Sequence, residues 1–100
     1  MMDCETRQLT DEQLCSLCRG TAGASEELVQ RYTGMIRRYA RPYYLAGAEW
    51  EDLQQEGFLG LLSAIENYRP EREASFKTFA SSCIRNKLIS SIRASQARNQ

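Results

Sequence analysis

Apolar residues recur every three or four positions along nearly the whole chain, and no stretch alternates with period two for long. The pattern predicts four helices. The first covers residues 11–19, with Thr10 and Gln13 spaced as a capping box and Gly20 just past the end. The second runs from Ser25, a plausible N-cap, to Leu45, with Glu26 and Glu27 in the first turn where the helix dipole favours acid. Its apolar stripe is Leu28, Tyr32, Met35, Ile36, Tyr39, Ala40 and Tyr43. Pro42 is expected to kink or interrupt it, and Gly47 suits a C-terminal cap. The third helix runs from about Glu49 to Tyr68 and gives way to a polar loop, RPEREAS, that Pro70 helps to start. The fourth runs from Phe76 to Ala94 after a Ser75 N-cap, with Phe76, Ala80, Cys83, Ile84, Leu88, Ser91 and Ile92 on one face. The expected fold is all-α, a compact bundle of about four helices. Residues 10–95 form the domain, residues 1–9 an N-terminal tail, and residues 96–100 a polar tail that reads as a chain cut short of a further region.

The third helix is loaded on two faces. On a 3.6-residue period, Leu53, Gly57, Leu61, Ala64, Ile65 and Tyr68 share one side, enough to serve a core. Asp52, Gln55, Glu56, Leu59 and Leu62 fall on another, with Phe58 near its edge. Carboxylates and amides around large aliphatic groups have the make-up of an interface with an apolar centre and a polar rim. Gly57 and Gly60 each cost about 1 kcal/mol of helix propensity relative to alanine, so their presence a turn apart points to close approach by a neighbouring backbone.

Composition bounds the rest. One hundred residues suit a single domain; 42% are apolar, too many for a disordered tail, and 26% are charged. No apolar run approaches membrane-spanning length and the N-terminus has no signal-peptide pattern, so a cytoplasmic location is expected. Net charge is zero, but its distribution is uneven. Residues 1–70 carry 7 basic and 11 acidic side chains; from Ala74 to Gln100 there are five basic ones (Lys77, Arg85, Lys87, Arg93, Arg98) and no acid. Such an end can face phosphate or can be a solvated helix face. Arg37, Arg38 and Arg41 form a second basic cluster.

Catalytic and metal chemistry find little support. Cys15 and Cys18 form a CxxC, but inside a helix, where Leu14, Leu17 and Cys18 share the apolar stripe and Cys15 lies at its edge. Only Cys4 and Cys83 remain as further thiols, without a second paired spacing, so reduced, packing cysteines are expected. Asp52 and Glu56 stand at i, i+4, a spacing that can hold metal, but the chain has no histidine to complete a di-metal bundle. There is no glycine-rich phosphate loop, nucleophile elbow or triad. No enzyme activity, metal or cofactor is expected.

The fourth helix joins aromatic residues to basic ones. Ser82, Arg85, Asn86, Ile89, Ser90 and Arg93 form its exposed face, a set able to contact phosphates and base edges. Phe76 and Phe79 can be core residues or platforms for unpaired bases; periodicity favours the core for Phe76 and a partly exposed role for Phe79.

DLQQEGFLGLLSAIENYRPERE followed by SFKTFASSCIRNKLISSI resembles the second conserved region of sigma-70 family transcription initiation factors. The likeness extends from about Thr10 onward, and the SFKTFASSCI run looks closest to the alternative, sporulation-type sigma-H group. It implies that Asp52, Gln55, Glu56, Phe58 and Leu62 dock on the clamp coiled coil of the polymerase β′ subunit. It implies that helix four and the loop before it bind the promoter −10 element, mostly as melted non-template strand. Phe79 takes the place of the aromatic that engages the flipped-out base, and Phe76 that of the other aromatic. Asn86 falls where the family reads the upstream edge, with Lys77, Ser82, Arg85, Lys87 and Arg93 around it. An anti-sigma factor is a further partner that the family admits. This sequence departs where primary members carry a tryptophan pair: Ser82 and Cys83 stand there, and Ala74 replaces another aromatic. The departures suggest weaker intrinsic melting. The helix-turn-helix region that reads the −35 element is not in the sequence. The competing reading is a sigma-like adaptor that occupies polymerase without opening promoters.

Overall fold

The computed structural model describes residues 8–18, 22–71 and 74–98, with side chains described as far as Ala94 in the last segment. It contains four helices among these residues: α1 (Asp11–Leu17), α2 (Ala22–Leu45), α3 (Trp50–Asn67) and α4 (Phe76–Arg98). No strand is present among them, and no helix is long and apolar enough to cross a membrane. The all-α bundle read from the periodicity is the observed architecture.

Local chemistry explains three of the helix ends. The Gln13 amide N–H donates to Thr10 Oγ1 at 3.1 Å and the Thr10 N–H donates to Gln13 Oε1 at 2.8 Å, closing the capping box. Helix α2 ends in a Schellman turn: the Ala48 N–H donates to the Tyr43 carbonyl and the Gly47 N–H to the Tyr44 carbonyl, both at 3.0 Å. The turn needs φ of +115° at Gly47, which glycine adopts without a Cβ penalty. Ser75 caps α4, its Oγ accepting from the Thr78 N–H at 3.2 Å.

Several boundaries differ from the pattern. Helix α2 starts at Ala22, not after Ser25, because Ala24 is fully buried and packs as part of the helix. Ser25 is therefore an internal residue, and Glu27 pairs along the helix with Arg31 at 2.9 Å instead of serving the first turn. Pro42 sits inside α2 without ending it, since the helix continues to Leu45. Helix α4 runs on to Arg98, past the expected helix end at Ala94. Helix α1 stops at Leu17, so Cys15 is the buried cysteine (7% exposed) and Cys18, beyond the helix, is only half-buried. The Gly20 stop, Cys4 and most of the N-terminal tail lie outside the described residues.

The core is one cluster. Leu14 from α1, Leu28, Tyr32 and Ile36 from α2, Leu53, Leu61 and Ala64 from α3, and Phe76, Ala80, Ile84 and Leu88 from α4 are buried together. Helix α3 lies between α2 and α4, and its glycines set the spacing. A Cβ on Gly60 would lie 2.8 Å from the Ile84 Cα and 2.9 Å from the Cys83 carbonyl oxygen. A Cβ on Gly57 would lie 2.6 Å from Ile36 Cγ2. The lost helix propensity is thus exchanged for close packing on both flanks.

Short helix α1 ties the other three. Its Asp11 accepts from Arg31 Nη1 at 2.9 Å and from the Tyr32 hydroxyl, fastening α2. Its Glu12 Oε2 accepts from the Phe76 backbone N–H at 2.8 Å, satisfying a free donor at the start of α4. Its Cys15 thiol donates to the Ile65 carbonyl of α3 at 3.4 Å. Burial, with the Asp11 carboxylate beside it, raises the Tyr32 hydroxyl pKa well above the ordinary tyrosine value.

Candidate functional site

The outer half of α3 is the first candidate surface. Leu53, Gly57, Gly60, Leu61 and Ala64 turn inward. Asp52 and Gln55 are exposed, Phe58 keeps 38% of its surface, and Leu62 and Glu56 are half-buried. The two glycines let this helix pack close against its neighbours on the opposite side. They do not form one uniform patch. Gln55 and Phe58 line a mainly apolar groove of about 320 Å³ with Val29, Thr33, Ile36 and Arg37 of α2. Leu62 borders a separate hollow with Cys18 and Ser25. Asp52 and Glu56 face the other way, lining a polar hollow with Ser91 and Ile92 of α4. Leu59 joins this surface although the family motif does not single it out. At 46% exposure it is more open than Phe58, and periodicity alone places it on the second face.

The second candidate surface is α4. Ser82, Asn86 and Arg93 are exposed along it, as is Lys77 in its first turn. The structure corrects Phe76: its side chain has no exposed surface, so no base can stack on it as the domain stands. Its ring meets Tyr32 edge-on at 5.6 Å and Tyr68 at 5.3 Å, completing an aromatic core at the junction of three helices. Phe79 is half-buried and leans on Tyr68, with ring centroids 5.9 Å apart. The Tyr68 hydroxyl in turn donates to the Ala74 carbonyl at 3.1 Å, bracing the loop before α4. Glu12 and this aromatic cluster therefore fix the N-terminal end of α4, where Phe79 emerges.

Two of the basic groups have partners within the domain. The Arg85 guanidinium sits 4.7 Å over the Tyr39 ring. The Lys87 ammonium lies 3.9 Å from Glu56 Oε1, joining the two candidate surfaces through a partly exposed pair. Periodicity assigns Tyr39 to the core and cannot reveal this approach across helices. Burial raises the Cys83 thiol pKa and keeps the neutral form beside the exposed face of α4. Among the described residues Cys15, Cys18 and Cys83 are unbridged, and no cluster of three His, Cys, Asp or Glu side chains could hold a metal ion.

Comparison with known proteins bears on both surfaces. The family model described as Sigma-70 region 2 matches residues 28–98, which include α3, α4 and most of α2. The chain is 39% identical over 87 residues to the RNA polymerase sigma-H factor of Bacillus licheniformis, covering 86% of this chain and 39% of that protein. It is 37% identical over 75 residues to the RNA polymerase sigma factor FliA of Pseudomonas aeruginosa, covering 70% of this chain and 30% of that one. To the RNA polymerase sigma-B factor of Bacillus subtilis it is 42% identical over 57 residues, covering 57% and 22%. The chain spans about two-fifths of the length of the sigma-H relatives it matches. No solved structure matches it.

Proposed function

This chain belongs to the sigma-70 region 2 family, with sigma-H factors among its relatives, and from that premise we propose that it is the polymerase-binding and −10-binding domain of an alternative sigma factor acting in transcription initiation. The observation that carries the reading is the outer half of α3. It keeps Phe58 and Leu59 open to solvent beside Gln55 and an apolar groove, although the core is already complete without them. In this reading Asp52, Gln55, Glu56, Phe58 and Leu62 meet the β′ clamp coiled coil. Single-stranded −10 DNA runs along α4, with Phe79 stacking on an unpaired base and Asn86 reading the upstream edge. Lys77, Ser82, Arg85, Lys87 and Arg93 contact the backbone, Arg85 being pre-oriented by Tyr39. Phe76 supports Phe79 from the core, through Tyr68.

Gln55→Ala and Phe58→Ser are expected to lose retention of core RNA polymerase in a pull-down while the helical circular dichroism stays unchanged. Full retention by both variants removes the polymerase assignment. With polymerase present, the non-template −10 strand is expected to bind better than its duplex, and less tightly as salt rises. Ser82 and Cys83 at the positions of the tryptophan pair fit an alternative factor with weaker intrinsic melting, and polymerase binding without any strand preference would establish the adaptor reading instead.

A further inference from the structure

Helix α2 carries chemistry that lies mostly outside both surfaces; of its exposed arginines only Arg37 also lines the groove beside Gln55 and Phe58. From Leu28 to Ala48 the chain has four arginines and no acidic residue. Arg31 is held by Asp11 and Glu27, each at 2.9 Å. Arg37, Arg38 and Arg41 lie toward solvent, and among the described residues none of them has an ion-pair partner. Arg37, Arg41 and Tyr44 recur at i, i+4 and i+7 along the ridge turned away from the core, with Arg38 beside them. At the end of the ridge Tyr44 is 49% exposed, and its ring is braced against Trp50 with centroids 5.1 Å apart and planes at 71°. On α4, Arg85 and Lys87 are engaged by Tyr39 and Glu56. Among the described side chains, α2 therefore carries three guanidinium groups without an ion-pair partner, against Arg85 and Arg93 on α4.

Three guanidinium groups without counter-ions repel one another and attract a polyanion, and their planar forks match phosphate oxygens. A braced, half-exposed aromatic ring at the end of such a ridge offers a face to an unpaired base. An acidic polypeptide would satisfy the arginines but would leave Tyr44 without a flat partner. We propose that the outward ridge of α2, from Arg37 through Arg38 and Arg41 to Tyr44, is a second nucleic-acid contact: the arginines take the phosphates of a single strand and a base stacks on Tyr44. This surface is separate from the α4 face and stands or falls independently of it.

The test is binding of labelled oligothymidylate to the 100-residue protein across a salt series, with polyglutamate as the competing polyanion. Arg38→Gln/Arg41→Gln is expected to weaken binding and to reduce the log–log salt slope by about 1.4, roughly 0.7 for each phosphate that is no longer neutralised. Tyr44→Leu is expected to weaken binding about fivefold with the slope unchanged. Arg93→Gln and Asn86→Ala on α4 should leave the Tyr44→Leu effect intact. An unchanged slope in the double variant, with its helical spectrum preserved, overturns the proposal. So does displacement of the oligonucleotide by polyglutamate of equal charge at equal concentration, which would assign the ridge to an acidic protein segment. Unaltered binding by Tyr44→Leu removes the stacked base.

Discussion

At Gly60 on α3, an added Cβ would lie 2.8 Å from one backbone atom of α4 and 2.9 Å from another; at Leu59, the preceding residue, nearly half the side-chain surface is in solvent. The two positions differ by a rotation of about 100° around the helix. At Gly60, α3 and α4 meet so closely that nothing larger than hydrogen fits. On the outward side, size is unconstrained by this domain, and chemistry is free to suit a partner. The contrast separates two kinds of substitution: inward ones should change stability, and outward ones should change binding at constant stability.

The sharpest way to break the contrast is Gly60→Ala. Overpacking against the α4 backbone should outweigh the propensity gained, for a net loss of about 2 kcal/mol in denaturant unfolding. An unchanged unfolding midpoint would mean that α3 and α4 slide apart freely. Gly57→Ala should cost less, about 1 kcal/mol, because it meets a side chain, Ile36, and not a backbone. Combining it with Ile36→Ala should cost less than the sum of the two single changes, since the clash is then gone; strict additivity would refute the close approach. The smallest stability effect is expected for Leu59→Gln, within about 0.5 kcal/mol of the parent, while core-polymerase retention falls as it does for Gln55→Ala.

How much of this is legible in the sequence depends on the range of each interaction. The Thr10–Gln13 box, the Ser75 cap and the Gly47 turn involve residues a few positions apart, and each can be read without knowing the fold. The two loaded faces of α3 also follow from spacing alone. The start of α2 does not, because Ser25 is a good cap in isolation, whereas buried Ala24 rewards an earlier start. Phe76 enters the candidate site by its place in a family motif, although its own spacing points to the core, and the packing upholds the spacing. Arg85 and Lys87 read as free cations in the sequence; Tyr39 and Glu56, 46 and 31 positions away, engage them in the fold.

The sequence by itself determined the helices, most of their ends, the apolar stripes that must be buried and, through its motifs, the family. These rest on periodicity and on interactions within one or two turns, which exist wherever the local chain is helical. Only the tertiary structure decided which charges remain available. Glu12 reaches the start of α4, Asp11 occupies Arg31, and Glu56 faces Lys87, while Arg37, Arg38 and Arg41 have no ion-pair partner among the described residues. Such pairings depend on distances between helices, and for α3 and its two flanking helices Gly57 and Gly60 permit the close approach.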